Sequence, residues 1–309
     1  MNRLAGWPVA GPADPPAGSV VSMPVDDPVV APPPDGDGPG VTAILSAPAL
    51  VLLALFFALP LGWILVDALS DGGAALQRVI DHPRFADAVA GSVTLTAVAV
   101  TVSLTVGVAV ALHLSRLPLR TRTLWSFVIA LPLTFSGLIV AYGFILAYGR
   151  AGMVTQLLGI GGLDAAVIGK WLFTPAGLAF ASSYYLIPRV VMTLLPVFVN
   201  FDRSLFDAAE SLGATPAQVF RQVFLPRVQG AVIGAACLVA AVVFGAYGTA
   251  LALVGTDLDI LPLQLYSLIS DSGADFPAAA ALALLITATC SSVIAIGEWA
   301  GRGRNDSID

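Results

Sequence analysis

The chain has 309 residues, of which 57% are hydrophobic and only 11% charged, with a net charge of −6 and a mean hydropathy of +0.89. So little charge cannot cover a core in water, which excludes a soluble globular domain and points to a polytopic membrane protein. The acidic balance gives no footprint for nucleic acid. The two cysteines, Cys237 and Cys290, both lie in apolar runs and suggest neither a disulfide framework nor a metal site.

Residues 1–40 are rich in Pro, Gly and Asp. Such a stretch buries too little apolar surface to offset its ordering entropy, so it is expected to be a disordered tail. It lacks the basic start and continuous apolar run of a signal peptide. Six apolar stretches follow, at about Ala43–Val66, Ala90–Leu114, Leu124–Tyr148, Pro175–Val199, Gln229–Leu253 and Ala278–Ala300. Each is long enough to cross about 30 Å of hydrocarbon as a helix. Helices are required because a lone strand leaves its backbone groups unpaired in lipid. The expected class is therefore all-α, with a six-helix membrane domain over 41–300 and a short tail at 301–309.

Basic residues set the expected orientation. With the N-terminus inside, the inner loops hold Arg116, Arg120 and Arg122, then Arg203, Arg221 and Arg227, then Arg302 and Arg304. The outer loops hold Arg78, Arg84, Arg150 and Lys170 over longer segments that also carry many aspartates. Both termini are thus expected in the cytoplasm, as is the loop at about 200–228.

That loop is polar and punctuated. Leu205, Ala208, Ala209 and Leu212 recur at helical spacing, with Phe206 beside them. Gly213 stands where a left-handed cap ends a helix. Thr215, Pro216 and Gln218 form a capping-box start. Val219, Phe220, Val223 and Phe224 then make a second apolar stripe, which Pro226 is expected to end. The spacing predicts a rigid helix–turn–helix on the membrane surface. The plainer reading is an interfacial connector, which explains the amphipathicity but not the complete set of start, turn and stop signals.

The residues Asp207-Ala208-Ala209, then Gly213, then Val223-Phe224-Leu225-Pro226 resemble the Glu-Ala-Ala…Gly…Ile-x-Leu-Pro signature of permease subunits of binding-protein-dependent ABC importers. Asp207 stands where the family has Glu, and Val223 where it has Ile. The resemblance covers about Phe85–Ala300, and the first span looks like the family's peripheral helix. It implies the type I importer permease (MetI-like) fold and a coupling helix seated in a separate cytoplasmic ATPase. On that reading Ala208, Ala209 and Gly213 allow close approach and Asp207 makes a polar contact. Phe220, Phe224, Leu225 and Pro226 anchor the knob to the permease body.

The implied partners are two ATPase subunits, a second identical or similar permease, an extracytoplasmic solute-binding protein and the lipid of the cell membrane. ATP and magnesium would belong to the ATPase, with no cofactor in this chain. The nearest phosphate-loop lookalike, ending in Gly169-Lys170, has Asp164 at its first glycine position and Trp171 after the lysine, so it fails the pattern. The run Leu131–Gly159 resembles the subgroup for polyamines, iron(III), thiamine, aminoethylphosphonate, sulfate or molybdate, with spermidine/putrescine placed first.

Arg189 is the one basic residue deep in a span. It either faces a pathway or interface, touching an anionic group, or bonds carbonyls freed near Pro188. Tyr185, Ser183, Tyr142 and Tyr247 are further pathway candidates, although intramembrane hydroxyls also glue helices together. Gly230 and Gly234 form a G-x-x-x-G that favours close packing. A secondary transporter would show inverted repeats and intramembrane carboxylates, and an intramembrane enzyme would show a metal motif or an aspartate pair. Neither pattern is present in the sequence.

Overall fold

A computed structural model describes residues 47–162, 164–202, 204–255, 258–270 and 273–305. The tail at 1–40, Arg203, Asp257, Asp271 and residues 306–309 lie outside these. The chain divides into two units, Met1–Phe56 and Phe57–Asp309. The described part of the first, from residue 47, is helical and exposes Leu50, Leu53 and Phe56.

The second unit is helical, with no strand among the described residues. Its elements are α1 (Leu59–Leu69), α2 (Ala74–Ile80), α3 (Phe85–Ser115), α4 (Leu119–Ala130), α5 (Gly137–Tyr148), α6 (Met153–Ile160) and α7 (Ala165–Trp171). There follow α8 (Pro175–Val199), α9 (Ser204–Ser211), α10 (Pro216–Val219), α11 (Leu225–Phe244), α12 (Gly248–Val254), α13 (Leu261–Ser270) and α14 (Phe276–Asn305). Six helical stretches among the described residues are long and apolar enough to cross a membrane: Ala47–Leu69, Phe85–Ser115, Gly137–Ile160, Pro175–Val199, Pro216–Phe244 and Phe276–Gly301.

Two of the expected spans are broken. Pro132 sits in a 3₁₀ turn, Leu131–Thr134, and Phe135 and Ser136 are extended. The third span is therefore two helices rather than one, with Ser136 as the N-cap of α5. The fifth stops at Gly245 and resumes as α12. Its start also differs from expectation, because Pro226 does not end the preceding helix. A π turn over Phe220–Phe224 moves the ladder out by one residue, and the Leu225 N–H bonds the Phe220 carbonyl. The widened turn makes room for the proline ring and absorbs its missing donor, so the helix runs on from the loop into the span.

Close approach through small residues holds the bundle together. Lipid offers apolar groups no worse a home than a neighbouring helix does, so packing depends on backbones meeting. α3 and α8 run parallel: Ala90 and Leu95 lie near Pro175 and Ala179, and farther along Gly107 meets Val190. A Cβ at Gly107 would lie 2.6 Å from Val190 Cγ1. α11 and α14 run antiparallel along Gly230 on Gly301, Gly234 near Gly297, and Cys237 on Gly297. A Cβ at Gly297 would lie 2.6 Å from Cys237 Cβ, whereas one at Gly234 meets nothing within 4 Å. Gly297→Leu is therefore expected to cost about 1–3 kcal/mol by forcing the helices apart. Gly234→Ala should leave the melting temperature in detergent almost unchanged, which a thermal unfolding comparison of the two variants checks.

An ion-pair clamp ties α2 to the start of α14, at the end of the bundle away from the α8–α11 loop. Arg78 pairs with Asp71 and Asp275, each at 2.8 Å. Asp275 also caps α14 by accepting the Ala278 N–H at 3.1 Å. The Arg78 bond holds the Asp275 carboxyl below its ordinary range, and the same bonds raise Arg78. A depressed carboxylate contributes stability above the unfolded pKa of about 4 and loses it as pH falls through the lower folded value. Asp275→Ala, which removes cap and pair, should cost about 1 kcal/mol at neutral pH. Asp275→Asn keeps the cap and should cost less. The wild-type advantage over Asn, followed by melting temperature, should be flat from about pH 8 to pH 5, begin to fall near pH 4 and vanish only once the pH is below the depressed folded value.

Candidate functional site

The α8–α11 loop is a knuckle of two short helices. Asp202 starts it by accepting the Ser204 N–H at 2.9 Å, and bonds from the Ser204 side chain and backbone hold this acid below its usual range. α9 ends in a Schellman turn. Gly213 has φ +84°, its N–H donates to Glu210 O at 2.9 Å, and the Ala214 N–H reaches Ala209 O at 3.1 Å. The capping box of α10 is complete: Thr215 Oγ1 accepts the Gln218 N–H, and Gln218 Oε1 accepts the Thr215 N–H at 2.8 Å. The turn is thus pinned by its own backbone, which makes the knuckle stiff without help from a partner.

Aromatic packing fixes the knuckle to the bundle. Phe224 is buried and has Phe198, Phe201, Phe206 and Phe220 at ring-centroid distances of 5.6, 5.2, 6.2 and 5.4 Å. Leu112, Ser115 and Arg116 at the end of α3 wall the same cluster, and Val219 is buried as well. The expected anchors are only partly these residues. Phe220 and Leu225 are half exposed, because the π turn rotates them off the packed side, and Pro226 is half-buried. Phe201, Phe206 and Phe198 were missed as anchors; their spacing across the α8–α9 junction follows no single helical period.

The outer surface of the knuckle is where the signature residues lie. Asp207, Ala208 and Gly213 are exposed, Ala209 is half-buried, and a Cβ at Gly213 would meet nothing within 4 Å. Leu212 is 90% exposed at the tip. The expected apolar stripe of α9 therefore points largely away from the bundle, while Phe206, off that stripe, turns inward.

Among the pathway candidates, Tyr185 and Arg189 share one face of α8, a turn apart. Both are half-buried, and with Met192 and Pro196 they form a stripe that becomes exposed toward the knuckle. Toward Pro175 the same face closes over Leu178, Ala181 and Ser182. Among the described residues the Arg189 guanidinium has no ion-pair or hydrogen-bond partner; the contact there is its carbonyl, which accepts from Thr193 Oγ1 at 2.9 Å. The carbonyls near Pro188 do not take up its charge. Ser183 is buried, and its hydroxyl donates to Ala179 O at 2.8 Å, so it serves helix packing and lines no open face. Tyr142 is exposed on α5, and Tyr247, at the α11–α12 break, has its ring 5.4 Å from that of Tyr266. Neither joins the Arg189 stripe.

Residues 103–304 match the family described as binding-protein-dependent transport system inner membrane component. The chain belongs to that family. The matched region takes in the knuckle, Gly107 and Arg189, and leaves out the first span. The spermidine/putrescine transport system permease protein of Escherichia coli (strain K12) is 30% identical over 127 residues, 41% of this chain and 46% of that one. The chain thus spans just under half the length of the polyamine relatives it matches. The sulfate transport system permease protein of Salmonella typhimurium (strain LT2) is 27% identical over 253 residues, 81% of this chain and 88% of that one. A solved bacterial alginate ABC transporter in complex with a pentasaccharide-bound periplasmic protein has the same fold. It superposes with a TM-score of 0.63 at 16% identity, covering 84% of this chain and 92% of that chain. The six apolar helices and this family membership make the chain a multi-pass membrane protein of the type I importer permease fold.

Proposed function

We propose that the chain is the transmembrane subunit of an ATP-driven importer in the cell membrane, with both termini and the knuckle in the cytoplasm. It pairs with an identical or similar permease to enclose a solute path. It receives solute from a binding protein outside, and is driven by two ATPase subunits that hold ATP and magnesium. It performs no chemistry itself.

The observation that carries this reading is the knuckle. A backbone-locked turn, anchored by Phe224, presents Leu212 almost fully bare. A leucine so exposed beside Asp207 and Ala208 fits a surface that a partner covers. A stiff element with differential contacts in two states of a partner transmits a rigid-body motion.

For the solute, two chemistries have support. The polyamine expectation rests on a local match to the spermidine/putrescine relative. Sulfate-like solutes rest on a match that runs along most of both chains. The test is reconstitution of this chain with an ATPase subunit, a second permease and a binding protein in proteoliposomes. ATP-dependent uptake that vanishes when this chain is omitted supports the reading. Uptake driven by an ion gradient without ATP contradicts it.

A further inference from the structure

We infer that Arg189 is the anion-recognition residue of the solute path and that the solute is a small oxyanion of the sulfate or phosphonate kind. The inference deepens the importer reading and rests on it. Arg189 lies about ten residues from the end of α8 at Val199, roughly 15 Å along the axis, too deep for its head to snorkel to water at that end. A guanidinium stays charged at any accessible pH, and in the hydrocarbon it is costly unless it faces a partner or water. Among the described residues no carboxylate answers it: the acidic residues of the six membrane helices, Asp67, Asp87 and Glu298, all sit in terminal turns.

The placement of Arg189 supplies what a mobile anion needs. The stripe Tyr185–Arg189–Met192–Pro196 is closed toward Pro175 and opens toward the knuckle, so the charge sits where the uncovered part of α8 begins. The other sides of α8 are taken, with α3 against Val190 through Gly107. A planar guanidinium with its donors unspent binds a tetrahedral oxyanion through two parallel charge-assisted bonds. Tyr185, one turn away, brings a phenol hydroxyl to the same face. A polyammonium ion would meet an uncompensated like charge there, which disfavours the polyamine placed first by the sequence alone.

The experiment is uptake by the reconstituted importer of labelled sulfate, 2-aminoethylphosphonate, putrescine and spermidine, for the wild type and for Arg189→Gln and Arg189→Lys. The inference expects ATP-driven uptake of an anion, lowered at least about tenfold by Arg189→Gln. The loss should fall mainly in KM, and Arg189→Lys should restore part of it. The melting temperature of the Gln variant should stay near wild type, which a purely structural role would not allow. ATP-driven uptake of polyamines alone, or anion uptake unchanged in Arg189→Gln, would overturn the anion assignment and leave the importer reading standing. Absence of ATP-driven uptake of any solute would overturn both.

Discussion

Gly213→Pro is expected to abolish uptake while leaving the protein inserted in the membrane and its spans folded. Proline fixes φ near −65°, whereas Gly213 has φ +84°, so the left-handed cap cannot form. The substitution also removes the N–H that bonds Glu210 O. Both effects are confined to the turn, because a side chain there meets no other part of the bundle. The knuckle would lose the fixed angle between α9 and α10, and with it the transmission of motion. Gly213→Ala is the graded control: its Cβ has room, but the left-handed conformation costs about 1–2 kcal/mol, so uptake should fall less steeply. Transport assays on reconstituted complexes, with melting temperature as the folding control, check the pair. Full uptake by Gly213→Pro would mean that the turn has no part in coupling.

Phe224→Ala is expected to have the larger effect on stability. Phe224 is the hub on which Phe198, Phe201, Phe206 and Phe220 converge, and it is buried. Truncating a buried aromatic in such a setting costs about 3–5 kcal/mol. The loss would fall on the joint between the knuckle and the ends of α3 and α8, so the loop should become sensitive to protease before the spans unfold. Phe220→Ala, on a half-exposed ring at the edge of the cluster, should cost far less. Proteolysis at the α8–α11 loop together with detergent melting curves separates the two. Equal effects of both substitutions would spread the anchor over the signature residues Phe220, Phe224, Leu225 and Pro226 and contradict a hub at Phe224.

These two residues also mark what the sequence could and could not reveal. The cap at Gly213 and the capping box at Thr215 and Gln218 were legible because their causes are local: a left-handed turn wants glycine, and a helix start wants a hydroxyl and a glutamine three residues on. The spans were legible because hydropathy over some twenty residues overrides detail. The breaks at Pro132 and Gly245 were not, since α8 carries Pro188 and Pro196 in its interior and stays helical. Whether a proline breaks a helix depends on what the neighbours do with the freed carbonyl, and one sequence does not record that. The outward turn of Leu212 and the inward turn of Phe206 depend in the same way on the approach angle from α8. The continuity through Pro226 required a π turn that leaves no periodic trace over five residues.

The lone guanidinium of Arg189 was visible as an oddity in the sequence, yet its two readings stood level. Among the described residues its guanidinium donates no bond to the carbonyls beside Pro188, and the residue lies half-buried on the stripe with Tyr185 and Met192. Ser183 shows the converse: a polar residue in the right span that spends its hydroxyl on its own helix.

The central claim is that the knuckle is the seat of a separate motor protein. It is tested most directly by a single cysteine at its tip, Leu212→Cys, with Cys237 and Cys290 replaced by alanine. In the assembled complex, a short bifunctional cross-linker should join position 212 to the ATPase chain, with a yield that changes when ATP is added. A Leu212→Cys protein that never cross-links to a nucleotide-hydrolysing chain, or that in intact cells reacts only with a membrane-impermeant thiol reagent from outside, would contradict the account.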